Sequence, residues 1–327
     1  MILSAVIGFA LTVAMGPILI PLLRKLKFGQ SILEIGPNWH KSKQGTPTMG
    51  GIMFIVGTVA ASLIIGLPMA AKGDPRLFIV LLTAVAFGAI GFFDDYIKVV
   101  KKRNLGLTAK QKSFLQLLAA VAMLAALSAT GCISTALYIP FANITIELSF
   151  IYYIFALIVI VGFVNGVNLT DGIDGLATAV TIPVMAFFAM AALFFHMDGT
   201  VGVFAAAVFG ALFGFLIFNF HPAKVFMGDT GSLFLGGAVV ACGFALNIPV
   251  IIFVCGLIYL IEAFSVMLQV AYFKLTHGKR LFKMAPLHHH FEMSGYSEVK
   301  IMYLFSFFTV IMCVVSYLGI MNYYIAG

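Results

Sequence analysis

Long apolar runs alternate with short polar segments along all 327 residues. A helix that crosses a membrane needs about 20 mainly apolar residues. Ten runs approach or exceed that length, at 2–23, 50–71, 77–93, 113–130, 150–167, 175–195, 200–220, 232–246, 248–272 and 300–324. The eighth is short and meets the ninth near Asn247-Ile248-Pro249. In hydrocarbon the backbone must satisfy its own N–H and C=O groups, so the pattern predicts helices. The expected fold is an all-α polytopic membrane protein of about ten transmembrane helices, with 1–327 as a single integral membrane domain. Pro17, Pro21 and Pro183 inside spans fit packed membrane helices. The 131–149 connection holds one charge, Glu147, and a Tyr138-Ile139-Pro140 break, and reads as a small hairpin.

Composition agrees. Only 9% of residues are charged and 62% are hydrophobic, whereas a soluble domain carries about 25% charged residues. Ten spans put both termini on one side. With the termini outside, the inner loops hold seventeen of the 19 Lys and Arg residues, leaving only Lys72 and Arg76 outside. The positive-inside rule then makes both termini extracytoplasmic. The net charge of +7 thus reads as membrane orientation, not as a nucleic-acid surface. Cys132, Cys242, Cys255 and Cys313 are far apart, form no C-x-x-C, and read as small hydrophobes. The first run leads straight into Arg24, Lys25 and Lys27, so a cleaved signal peptide is not expected.

The inner loops hold nearly every unusual polar cluster. Asp94 and Asp95 end the third run, with Lys98 one turn beyond Asp94. Adjacent carboxylates at a membrane boundary repel each other and resist desolvation, which suits a cation, a proton or a reaction. The stretch 165–175 places Asn168, Asp171 and Asp174 three apart among glycines. Their oxygens share a helical face or converge from a tight loop. The spacing is not that of an EF-hand, so calcium is rejected. Asn219 precedes Phe226-Met227-Gly228-Asp229-Thr230-Gly231-Ser232, a glycine-containing helix start suited to phosphate. Asp229 would repel that phosphate unless a cation lay between them, which points to Mg²⁺. Phe226 is either core or a platform for a nucleobase. His288, His289 and His290 are consecutive; they point in different directions and chelate one ion poorly, so a polar lining for phosphate or sugar is favoured over zinc. Lys41 and Lys43 precede Thr46-Pro47-Thr48-Met49-Gly50-Gly51. Thr48 there could cap a helix, and a lysine could reach phosphate. Mg²⁺ with phosphate, in a cleft at the cytoplasmic face, uses all of these groups.

The motifs TPTMGG at 46–51, DDYIK at 94–98, NLTDGIDGLA at 168–177, FMGDTGSL at 226–233 and LHHHFE at 287–292 closely resemble the polyprenyl-phosphate N-acetylhexosamine-1-phosphate transferase family. The resemblance spans essentially the whole chain. The histidine motif places it in the muramoyl-pentapeptide branch. One departure is Tyr296, where many members have Trp, followed by Lys300 and no Arg. The resemblance implies a multi-pass enzyme of the bacterial plasma membrane acting in cell-wall synthesis. It implies Mg²⁺-dependent transfer from UDP-MurNAc-pentapeptide to undecaprenyl phosphate, giving lipid I and UMP. It further implies contact with membrane lipid and pairing of two subunits as a homodimer. By the same resemblance, Asp229 is the main Mg²⁺ ligand, with Asp171 beside it. Asp94 or Asp95 prepares the lipid phosphate, or a carboxylate acts as nucleophile in a two-step route. Asn168, Asp171, Asp174, Asn219 and Phe226 would serve the nucleoside and sugar, with Gln269 at the edge of that pocket. Lys43, Thr48, Lys98, Gly228, His288, His289 and His290 would meet phosphates or sugar, His289 as a catalytic group.

Two other classes compete. A sister enzyme would use UDP-N-acetylglucosamine. A proton-coupled transporter would need polar groups across the membrane depth, and Glu262 is the only clear mid-span acid.

Overall fold

The computed structural model describes residues 1–26, 43, 45–71, 73–101 and 105–325. Lys27, Lys41, Lys72, Lys102 and Arg103 lie outside the described residues. Ten of the described helices are long and apolar enough to cross a membrane. They are α1 (Ile2–Lys25), α2 (Gly51–Ala70), α3 (Arg76–Val100), α4 (Ala109–Ala129), α5 (Phe150–Thr170), α6 (Leu176–Phe194), α7 (Gly199–Asn219), α8 (Gly228–Ala245), α10 (Leu257–Leu275) and α12 (Glu298–Ile325). Two short helices, α9 (Ile252–Cys255) and α11 (Leu287–Glu292), complete the set.

The bundle is built around α8. Its Gly, Ala, Cys and Ser residues keep its girth small, and α2, α3, α5, α6 and α7 all close in on it. The pairing of α3 with α8 is the most extensive in the molecule. Beneath the polar end, Phe54 of α2 meets Phe215 of α7 edge-on at 5.0 Å and Phe234 of α8 at 6.0 Å. Those rings make a rigid floor.

Local chemistry sets the helix ends. α4 starts at a capping box, with Thr108 accepting from the Gln111 N–H and the Gln111 side chain accepting from the Thr108 N–H. Asp198 caps α7 by accepting from the Val201 N–H at 2.8 Å. The expected hairpin in the 131–149 connection is present: β1 (Ala136–Ile139) and β2 (Ile144–Glu147) pair antiparallel with Leu137 opposite Ile146.

Several boundaries depart from the apolar runs, among them α4, which starts at Ala109 instead of 113, and α5, which ends at Thr170 instead of 167. α3 runs past its apolar stretch to Val100, because Tyr96, Ile97, Val99 and Val100 sustain the helix. α8 starts at Gly228 instead of 232, which puts Asp229 in its first turn. The expected ninth span, 248–272, is broken. Pro249 opens a 3₁₀ turn, Gly256 separates α9 from α10, and the spanning helix is Leu257–Leu275.

Candidate active site

The end of the bundle that carries the polar motifs gathers the C-terminal parts of α3 and α5 with the N-terminal parts of α4 and α8. Because α3 stays helical, Lys98 lies over both Asp94 and Asp95, at i,i+4 and i,i+3. Both aspartates are buried. Asp229 arrives from α8. One oxygen from each of Asp94, Asp95 and Asp229 falls within 4.8 Å of the others.

The two oxygens of each carboxylate have different jobs. Asp94 Oδ1 accepts the Leu107 N–H at 2.8 Å. Asp95 Oδ2 accepts the Thr230 N–H at 2.9 Å and its hydroxyl at 2.7 Å. Asp229 Oδ1 accepts from Asn168 Nδ2 at 2.8 Å, and Asn168 also donates to Ser232 at 2.7 Å. The remaining oxygens turn to one point. Lys98 Nζ stands there, 2.6 Å from Asp94 Oδ2, 2.8 Å from Asp229 Oδ2 and 3.8 Å from Asp95 Oδ1. Lys112 Nζ of α4 adds a second cation 3.1 Å from Asp229 Oδ2. One oxygen per carboxylate is thus fixed to the scaffold, and the other is left for a cation.

Two glycines allow this closeness. Gly228 has φ +69°, a conformation that glycine adopts without strain, and a Cβ there would lie 2.5 Å from Asp95 Oδ2 and 2.7 Å from Thr48 Oγ1. Gly91 lets α3 meet the first turn of α8, for a Cβ there would lie 2.6 Å from the Thr230 nitrogen and overlap the Asp229 carbonyl.

A second cluster joins Lys43, Asp174, His221 and Glu298. Lys43 Nζ is 2.7 Å from Asp174 Oδ1 and 2.6 Å from Glu298 Oε2. Asp174 Oδ2 is 2.8 Å from His221 Nδ1 and accepts the Ala223 N–H at 3.0 Å, while the Asp174 N–H donates to Glu298 at 2.9 Å. Burial opposes ionisation of Asp174, yet Lys43 and these donors hold its carboxyl below the usual carboxylate range. Asp171 links the clusters. Burial, then the negative charges of Asp229, Asp95 and Asp174, push its carboxyl well above the usual range, with Lys43 pulling the other way. A cation near Asp229 would relieve that repulsion.

The remaining expected residues divide by whether their polar atoms are already used. Phe226 is half-buried at the rim, its N–H bonded to Pro47 and its carbonyl to Gly50. Thr48 is half-buried beside Gly228. Asn219 is buried and spent on scaffolding: its Oδ1 accepts from Thr178 at 2.7 Å and its Nδ2 donates to Val225 at 3.0 Å. Gln269 Oε1 accepts the Leu281 and Phe282 N–H groups at 3.1 and 2.8 Å, holding the loop that leads to α11. His288 is buried on Glu262, His289 Nδ1 lies 2.6 Å from Glu292 Oε2, and His290 Nδ1 accepts the Lys283 N–H at 3.1 Å. Lys300 sits over the Tyr296 ring at 4.6 Å, so the two residues of the departing motif pair with each other.

Sequence reasoning did not single out Thr230, Ser232, His221 or Glu298, and saw Lys112 only as one of a basic group. Ser232 and Thr230 belong to the glycine-rich helix start, and Glu298 is an acid at the head of the last span. No local pattern tells which partner each one meets.

Comparison with known proteins shows the family. Residues 77–247, which contain Asp94, Asp95, Asp171, Asp174 and Asp229, match Glycosyl transferase family 4. Residues 43–55, with Lys43 and Thr48, match phospho-N-acetylmuramoyl-pentapeptide-transferase signature 1. A phospho-N-acetylmuramoyl-pentapeptide-transferase from Thermoanaerobacter sp. (strain X514) is 49% identical over 316 residues, 97% of either chain. The chain belongs to the phospho-N-acetylmuramoyl-pentapeptide-transferase family. Enzymes of that name from Clostridium botulinum (strain Alaska E43 / Type E3) and Clostridium kluyveri (strain NBRC 12016) are each 48% identical, over 98% of this chain and 96% and 99% of theirs. Membership in this transferase family fits ten apolar helices in a bacterial membrane and a site of carboxylates and lysines at one end of them.

Proposed function

We propose that this chain, a phospho-N-acetylmuramoyl-pentapeptide transferase of peptidoglycan synthesis, carries out its transfer at the Asp94–Asp95–Asp229 focus. The donor is UDP-MurNAc-pentapeptide and the acceptor is undecaprenyl phosphate. The observation that carries the reading is the convergence of three carboxylate oxygens on the Lys98 ammonium. The site end faces the cytoplasm, which the bias of Lys and Arg in the sequence supports.

The chemistry joins two anions. A phosphate oxygen of the lipid attacks the sugar-bearing phosphorus of the donor. The bond from that phosphorus to the bridging oxygen breaks, and UMP leaves with its electron pair. Both reactants repel, so positioning and electrostatic stabilisation dominate.

An all-oxygen, multi-carboxylate donor set with a cation at its focus fits Mg²⁺. Asp229 would hold it, with the Asp94 and Asp95 oxygens converging beside it and Asp171, whose carboxyl feels the Asp229 charge, as a further ligand. When bound, the ion would neutralise phosphate charge and stabilise the leaving UMP. Lys98 and Lys112 flank Asp229 and would hold phosphate oxygens. Asp95 is tied to α8 through Thr230 and fixes the geometry. Asp94 keeps Oδ2 toward the focus and is placed to accept a proton from the lipid phosphate. Lys43, held by Asp174 and Glu298, presents positive charge to the nucleotide end, where the exposed part of Phe226 offers a face for the base.

The test is direct. Purified protein in lipid, with Mg²⁺, a polyprenyl phosphate and UDP-MurNAc-pentapeptide, should release UMP, and chelation should stop the release until Mg²⁺ is restored. UMP release with UDP-N-acetylglucosamine and none with the muramoyl-pentapeptide donor would reassign the enzyme to the sister class.

A further inference from the structure

One acid is buried within a span and outside both clusters. Glu262 lies in the second turn of α10 and is fully buried. A carboxylate at that depth needs a named partner. The partner is His288, which is also buried. Glu262 Oε1 accepts the His288 backbone N–H at 3.1 Å, and Oε2 lies 2.8 Å from His288 Nδ1. Both carboxylate oxygens therefore go to a single residue of α11, across a loop that Gln269 ties down from the same helix.

A carboxylate beside Nδ1 makes that nitrogen the donor, so the ring orientation is fixed. Nε2 then points away from Glu262, and it is buried with no hydrogen-bond partner among the described residues. It faces Gly172: a Cβ there would lie 2.6 Å from His288 Cε1 and overlap Nε2. Gly172 directly follows Asp171, the residue that links the two clusters. The His288 ring also packs against His289, tilted, with centroids 4.1 Å apart. His288 is thus a wedge between Glu262 and the Asp171–Gly172 turn, and its seat sets where His289 and His290 stand.

We propose that Glu262 is a positioning residue for the reaction: it seats the histidine segment, through His288, against the Asp171–Gly172 turn. The proposal rests on the reading that this segment belongs to the site. Glu262→Gln keeps the volume but turns one acceptor into a donor facing His288. Misplacing a site segment by about 1 Å costs on the order of 10²-fold in rate, and a loss of up to that size is expected in UMP release. Glu262→Asp, which keeps both acceptors, should recover part of it. The decisive measurement is the double-mutant cycle with His288→Asn. If Glu262 acts through His288, Glu262→Gln should cost nothing further in the His288→Asn background. Equal losses in both backgrounds, or wild-type turnover of Glu262→Gln, overturn the proposal. A His288→Asn enzyme with wild-type turnover sinks the reading of the histidine segment itself, and the proposal with it. The folded wild-type protein supplies a check that needs no active variant at position 262. In nitrogen-15 histidine spectra, the resonance lost in His288→Asn should show a protonated Nδ1, and an unprotonated Nδ1 refutes the pairing.

Discussion

Gly91→Ala is the sharpest perturbation of the site, because it changes no polar group. A methyl group at Gly91 would lie 2.6 Å from the Thr230 nitrogen, where ordinary contacts begin at 3.4 Å, and would overlap the Asp229 carbonyl. The neighbours are backbone, so no side chain can swing aside. The first turn of α8 must therefore withdraw from α3 by at least 0.8 Å, the difference between those two distances. Asp229 and Thr230 ride on that turn, while Asp94 and Asp95 stay on α3. The three oxygens that converge within 4.8 Å would separate, and Asp95 would lose its 2.9 and 2.7 Å bonds to Thr230. Overpacking of this kind costs about 1–3 kcal/mol of stability, which a membrane protein of this extent should tolerate. Misplacement of reacting groups by about 1 Å costs on the order of 10²-fold in rate. Gly91→Ala should thus remain folded by thermal-shift assay while UMP release falls by about 100-fold. Gly88→Ala is the control on the same helix. Its Cβ would meet the Phe234 side chain at 3.1 Å, a contact that a small shift relieves, and turnover should stay near that of the unmodified protein. Unchanged turnover in Gly91→Ala, or an equal loss in Gly88→Ala, would show that α3–α8 proximity does not set the site.

Two further outcomes follow from the charges. Asp229→Asn should abolish UMP release and weaken Mg²⁺ binding while leaving membrane insertion intact; near-normal activity would remove Asp229 from the metal role. The Asp174 carboxyl is held below its ordinary value of 3.8, so its stabilising pair with Lys43 is fully present above that value and is lost as the pH falls through the depressed one. Comparing the thermal stability of wild type and Asp174→Asn should give a gap of about 1–3 kcal/mol, flat through neutral pH and closing only in strong acid. A gap that closes near neutrality would contradict the assignment.

Much of this molecule was legible in residue order. Apolar runs dictate spanning helices because hydrocarbon leaves the backbone no other partner. The number of spans was visible for that reason, though not the break in the ninth run at Gly256, and so was the hairpin in the 131–149 connection. The motifs around Asp94, Asp171, Asp229 and His288 stood out because polar groups are costly at a membrane boundary. What residue order does not hold is which face of each span meets which neighbour. Most spans are apolar all round, so periodicity names no inner face. Packing alone decided that Asp229 meets Lys98 across 131 residues, and that small residues on α8 and Gly91 bring those helices close enough. Packing also decided that Asp94, Asp95 and Asp229 form one cluster and Asp174 belongs to another, with Asp171 between them. It spent Asn219 and Gln269 on the scaffold, brought in Lys112 and Glu298, and gave the one mid-span acid, Glu262, a histidine to hold. Charge and hydropathy are properties of single residues and survive in the sequence; convergence is a property of distances, and only the folded chain has them.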